Sequence, residues 1–126
     1  VKDVGVVAIE GGQWEIYIGG AAGSHIRKGD LLCTVDSEES EEIALTLIGR
    51  FLQYYRENAK YLERTYDFVP RFGLEKIRAI VVEDAEGIAA RLDAAMQAAV
   101  DAYVDPWQEA DTPATPNQFR TVLPVL

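Results

Sequence analysis

Trp14, Ile16 and Ile18 alternate with Glu15 and Tyr17, the period-two pattern of a half-buried strand. Residues 4–10 hold a nearly continuous apolar run, VGVVAI, which suits a strand packed on both faces inside a larger sheet. Gly11-Gly12 between the two runs predicts a tight turn and so an antiparallel hairpin. The period then lengthens: Ala44, Leu47, Ile48, Phe51, Tyr55, Ala59 and Leu62 recur every three or four residues, the stripe of a long amphipathic helix. Arg50, Arg56 and Lys60 fall mainly off that stripe. Ser40, Glu41 and Glu42 form its start, because a hydroxyl accepts orphan N–H groups and glutamates favour the positive end of the helix dipole. The acidic run SEESEE therefore reads as a cap on a solvated face.

Pro70 opposes continuation of this helix and predicts a kink or break between Arg64 and Phe72. Gly73 offers a C-cap, and Leu74, Ile77, Ile80 and Val81 predict a short third helix. Asp84 can cap a further helix with Ile88, Leu92, Ala95, Met96, Ala99 and Tyr103 as its buried stripe, stopped at Asp105-Pro106. The expected fold class is α+β: an N-terminal antiparallel β-hairpin or partial sheet, then three to four helices. Residues 1–110 form the body, and 111–126 a Pro-rich extended tail opening on DTPATP, whose apolar end VLPVL is either mobile or laid against the body.

Between the hairpin and the long helix lies the stretch that carries candidate chemistry. Gly19, Gly20 and Gly23 end the second strand abruptly, and glycines there can present bare N–H groups to an anion. His25, Arg27 and Lys28 follow, a local reversal of sign in a chain with 12 basic and 21 acidic residues and net charge -9. A wide turn with a solvated exit accounts for the same residues, and a lone histidine makes no metal site.

Four ordered blocks, KDVGVVAIEGGQWEIYIGG, LIGRFLQYYRENAKYLERT, RFGLEKIRAIVVED and DPW, span residues 2–107. On these blocks the chain resembles the C-terminal part of the large subunit of NAD(P)H-dependent nitrite reductase, in the sirohaem and 4Fe-4S nitrite/sulfite reductase family. The resemblance implies electron flow from a nicotinamide (NAD(P)H) through a flavin (FAD) to a 4Fe-4S cluster bridged to sirohaem, where nitrite becomes ammonia. It implies upstream domains of the same polypeptide and a small subunit as partners. It also implies that the family's closing cysteine pair lies just before Val1, so the chain is expected to be a piece cut after the cluster ligands, with no sirohaem or cluster bound by the piece alone. Gly19, Gly20, Gly23, His25, Arg27 and Lys28 then face the anionic rim of sirohaem, Arg27 as a bidentate partner and Lys28 as a point charge. Ala21 stands where the family commonly carries Asn. No residue here inherits a catalytic role or a metal ligand, and the chain supplies one wall of the cofactor site. A sirohaem sulfite reductase, or a non-catalytic helical interaction domain on the same scaffold, are the alternatives.

Composition narrows the field further. Cys33, the one cysteine, sits in LLCTVD as a small core hydrophobe at a buried edge or a helix approach, and a single thiol makes neither a cluster site nor a disulfide framework. Met96 on an apolar stripe is core filler, and Phe51, Tyr54 and Tyr55 are core aromatics. The acidic balance opposes nucleic acid and anionic membrane, and no apolar run reaches the roughly 18 residues of a membrane span. A cytoplasmic location is expected. The carboxylate pairs Glu38/Glu39, Glu41/Glu42 and Glu83/Asp84 sit at helix starts, where capping accounts for them, and no Walker loop or HExxH is present, so a self-contained hydrolase or kinase does not fit.

Overall fold

The structure, a computed structural model, describes residues 1–36, 38 and 41–106. In chain order it contains β1 (Val4–Ile9), β2 (Gln13–Ile18), β3 (Ala21–Ala22), β4 (Ile26–Arg27), β5 (Asp30–Asp36), α1 (Glu41–Asn58), α2 (Thr65–Phe72), α3 (Leu74–Val81) and α4 (Ala89–Asp101). This is the expected α+β class. Ser40, Trp107, the 110/111 boundary and the tail from 111 lie outside the described residues.

β1 and β2 form the expected antiparallel hairpin, with Ile9 opposite Gln13 and Val4 opposite Ile18. β2 is central in a three-stranded sheet of order β1-β2-β5. β5 is a strand that the LLCTVD reading did not resolve from a helix approach. Its register shifts between Ile16 and Tyr17, which pair with Cys33 and Leu31, so Leu32 bulges out of the ladder and is fully buried. Arg78 on α3 donates to the carbonyls of Leu31 (2.8 Å) and Leu32 (2.9 Å), tying that edge to the helices.

β1 corrects one expectation. It is an edge strand rather than a strand packed on both faces, with Val6 40% and Val7 48% exposed. A run of consecutive apolar residues says that both faces can be buried, not that a neighbour is at hand.

Ile16, Ile18, Leu32, Phe51, Phe68, Ile77 and Leu92 form a single core between the sheet and the helices. Phe68 is its aromatic hub, stacked on Phe72 at 4.5 Å and met edge-on by Tyr55 at 5.2 Å. Phe51 and Tyr54 are buried in it, as their stripe predicts.

Two helix boundaries differ from the periodicity. α1 stops at Asn58, so Leu62 lies outside it, 80% exposed and at φ 59°. The break thus precedes Arg64, and Pro70 sits inside α2 without ending it. In so short a helix proline forfeits one intrahelical bond, while Phe68 and Val69 hold the segment by full burial. Gly73 ends α2 as expected, its N–H bonded to Val69 O at 2.9 Å. Asp84 serves α4 from five residues upstream, its carboxylate accepting from the Ala89 N–H at 2.9 Å. Tyr103, placed on the buried stripe, lies past the end of α4 and is 71% exposed.

Candidate functional site

The glycine segment folds as a small second hairpin. β3 and β4 pair antiparallel, Ala21 opposite Arg27 and Ala22 opposite Ile26, which leaves Gly23, Ser24 and His25 at an exposed tip. The glycines at its root are not bare. Gly19 donates to Asp3 O at 3.0 Å and Gly20 to Lys2 O at 2.9 Å, so the chain before β1 already uses both amides. Their lack of a side chain is a packing requirement: a Cβ on Gly20 would lie 2.6 Å from Lys2 O, and one on Gly19, at φ +72°, 2.8 Å from Val69 Cγ2. Only Gly23, of the three, has open space around it.

Arg27 is turned inward. Its guanidinium donates to Gly19 O and to Asp30 Oδ2, both at 2.7 Å, and so staples the base of the hairpin. Lys28 is exposed and lies in a groove with Lys2, Val6, Val7 and Tyr17. His25 is exposed and tilts over Tyr66 with ring centroids 6.0 Å apart.

A cleft of about 370 Å³ opens beside the tip, lined by Gly20, Gly23 and His25 together with Lys2, Arg64 and Tyr66. The structure thus brings three of the six predicted residues to one cleft and leaves Gly19, Arg27 and Lys28 outside its lining. Sequence reasoning missed Lys2, Asp3, Arg64 and Tyr66. Asp3 organises this group. Its carboxylate accepts from Thr65 Oγ1 at 2.5 Å and pairs with Arg64 at 3.1 Å. The Thr65 hydroxyl, with the Arg64 guanidinium beside it, holds the Asp3 carboxyl below its usual range. Arg64 is thereby paired on the lining of the cleft, with Lys2 adjacent in sequence to Asp3.

A cleft lined by Lys2, by Arg64 in its pair with Asp3, and by an imidazole around a backbone hairpin can receive a carboxylate at Lys2 and His25. Cys33 lies on β5, its thiol pKa pushed up by burial, and among the described residues no group of three or more His, Cys, Asp or Glu side chains converges on a metal position.

The chain belongs to the nitrite and sulphite reductase 4Fe-4S domain family, whose profile matches residues 1–89. Among curated proteins it is 43% identical over 109 residues to nitrite reductase NAD(P)H of Bacillus subtilis (strain 168), covering 86% of this chain and 13% of that protein. It is 30% identical over 122 residues to the nitrite reductase (NADH) large subunit of Escherichia coli (strain K12), covering 94% of this chain and 14% of that one. It is also 38% identical over 82 residues to an assimilatory-type sulfite reductase of Nitratidesulfovibrio vulgaris, covering 65% of this chain and 36% of that protein. No solved structure matches the chain significantly. Among the described residues no helix is long and apolar enough to cross a membrane.

Proposed function

We propose that this chain is part of the sirohaem and 4Fe-4S module of a cytoplasmic NAD(P)H-dependent nitrite reductase large subunit, and that it forms one wall of the sirohaem site without ligating the cluster. The observation that carries this reading is the 43% identity to a nitrite reductase over 86% of the chain, of which the match covers only 13% of the relative. Flavin and nicotinamide modules in the rest of the polypeptide, and a small subunit, complete the proposed enzyme. When bound, the sirohaem and cluster pair supplies electron transfer to nitrite.

This chain's own residues hold and orient. Lys2, His25 and Arg64 meet cofactor carboxylates at the cleft, where Gly23 leaves the hairpin tip open to close approach. Gly19 and Gly20 let the hairpin base press against residues 2 and 3, and Arg27 keeps that base closed through Gly19 O and Asp30. Lys28 adds a cation in the adjoining groove, which shares Lys2 with the cleft. A sulfite reductase module is the second reading, supported by the 38% identity to the assimilatory-type enzyme.

The test uses the full-length polypeptide that carries this sequence. Lys2→Gln with Arg64→Gln is expected to lower sirohaem occupancy, read from the haem absorption, with little change in unfolding temperature. Arg27→Ala is expected to lower occupancy and stability together. Full occupancy in both variants would rule out the wall. Turnover with nitrite against sulfite separates the two readings.

A further inference from the structure

β1 and β5 flank β2 at the two edges of the sheet, and the molecule treats those edges differently. β5 is bulged at Leu32, and Arg78 donates to the carbonyls of Leu31 and Leu32. β1 has none of the features that keep a free edge from pairing. Its six residues, VGVVAI, hold no charge and no proline, and they follow β2 in unbroken register. In such a ladder alternate residues turn their N–H and C=O groups away from the partner strand. Among the described residues no strand lies beyond β1 to meet them.

Both faces of β1 are apolar, and neither is fully covered at its centre. Val6 lies opposite Ile16 and shares its face, yet Ile16 is fully buried and Val6 is 40% exposed, so the helical layer stops short of β1. Val7 lies opposite Glu15 on the other face and is 48% exposed. A single groove of about 360 Å³ is lined by both valines, whose side chains point to opposite faces, and it therefore reaches round the outer edge of the strand. Lys2 and Lys28 stand in the same lining, which contains no acidic residue. Unpaired backbone groups select an extended segment, valines on both faces select apolar neighbours, and the two lysines select a carboxylate. A second copy of the chain would set one net charge of -9 against another, which opposes self-pairing. The match to the Bacillus subtilis nitrite reductase covers 13% of that protein, which leaves ample polypeptide to supply a strand. Resting on the reading above that this chain is part of such a longer polypeptide, we propose that a strand from elsewhere in it pairs with the free edge of β1. That strand carries apolar residues beside Val6 and Val7 and an acidic residue beside Lys2 and Lys28.

Hydrogen exchange on the full-length polypeptide, resolved to single amides by fragmentation in the mass spectrometer, tests this. With a strand added, every amide from Val4 to Ile9 is expected to exchange slowly. An alternation of slow and fast amides along β1 would show an open edge and overturn the proposal. Val7→p-benzoylphenylalanine then identifies the neighbour by cross-linking. Attachment to a segment outside residues 1–126, at the mass of a single polypeptide, is the expected result. Attachment at twice that mass, to a separate subunit, or within residues 1–126 would overturn it. Lys28→Glu is expected to speed exchange of the outward amides of β1 about fivefold, the effect of losing an exposed ion pair, and unchanged exchange would overturn the acidic contact. Neither measurement depends on bound sirohaem. A protected β1 in a polypeptide that binds no sirohaem counts against the cofactor wall alone, and an open edge in the loaded enzyme counts against the added strand alone.

Discussion

Gly20 and Gly23 are three residues apart and face opposite demands. At Gly20 a methyl group would collide with the Lys2 carbonyl at 2.6 Å, whereas at Gly23 it would meet nothing within 4 Å. Gly20→Ala is expected to cost about 1–3 kcal/mol, as overpacking against a backbone does, and Gly23→Ala to stay within about 0.5 kcal/mol. Urea unfolding of the two variants side by side checks this. A second expectation concerns Glu63. Its carboxylate takes two bonds from Arg71, at 2.5 and 2.6 Å, and one from the Lys60 N–H at 2.9 Å, and the Arg71 bonds above all pull its pKa from 4.5 to about 2. A depressed carboxylate stabilises the fold above its unfolded pKa, and that stability drains away as pH falls through the folded one. Glu63→Gln should therefore flatten the stability loss between pH 4.5 and about 2, with little change in its slope near neutrality. An acid titration followed by circular dichroism decides it, and an unchanged acid limb would remove Glu63 from the account. At this scale the glycines were legible in the sequence but their reason was not, since Lys2 and Val69 meet them only through the fold. Asp3 and Thr65, 62 positions apart, share one hydrogen bond that no local pattern announces.

Among the elements, the hairpin, α1 and α3 follow directly from their periods of two and 3.6, because each buries one face against the same core. The misplaced boundaries have a common cause. An apolar residue in phase with a stripe, such as Leu62 or Tyr103, extends the pattern on paper, while the helix ends where packing stops supporting it. Pro70 shows the reverse, a breaker tolerated because Phe68 and Val69 anchor its helix. Two ion pairs join α1 and α4, Arg50 with Asp93 and Arg91 with Glu57, and the Arg50 side chain is the more buried of the two arginines. Arg50 binds both Asp93 oxygens, at 2.7 and 2.8 Å, and the Val81 carbonyl at 2.7 Å, and its side chain is 14% exposed. Asp93→Ala would leave that guanidinium with one acceptor. We expect a loss of about 2 kcal/mol, at the lower end for breaking a buried pair because Asp93 is itself a third exposed. Thermal unfolding is the measurement, and a change below about 0.5 kcal/mol would mean that the helices hold without it.

For the whole molecule, the chain spans 13% and 14% of the two nitrite reductases to which it is similar. Its cleft is lined by Lys2, Asp3, His25 and Arg64, and Cys33 lies on β5 outside that lining. Reconstitution of the 126-residue chain alone with sirohaem and iron-sulfur reagents is expected to yield no stoichiometric coloured complex. A stable one, seen by absorption after gel filtration, would contradict the proposal of a supporting wall.

Alternation and helical periodicity were enough to establish the α+β class, the first hairpin and the core aromatics, because burial of one face is a local property of residue spacing. The same spacing marked the glycine segment and its cations as the place to look. Only the tertiary structure decided that Gly19 and Gly20 serve a backbone contact, that Arg27 turns inward, and that Lys2 and Arg64 join His25 at the cleft. Those outcomes depend on which distant segments share an edge. Sheet order and helix docking set that, and the order of residues along the chain does not.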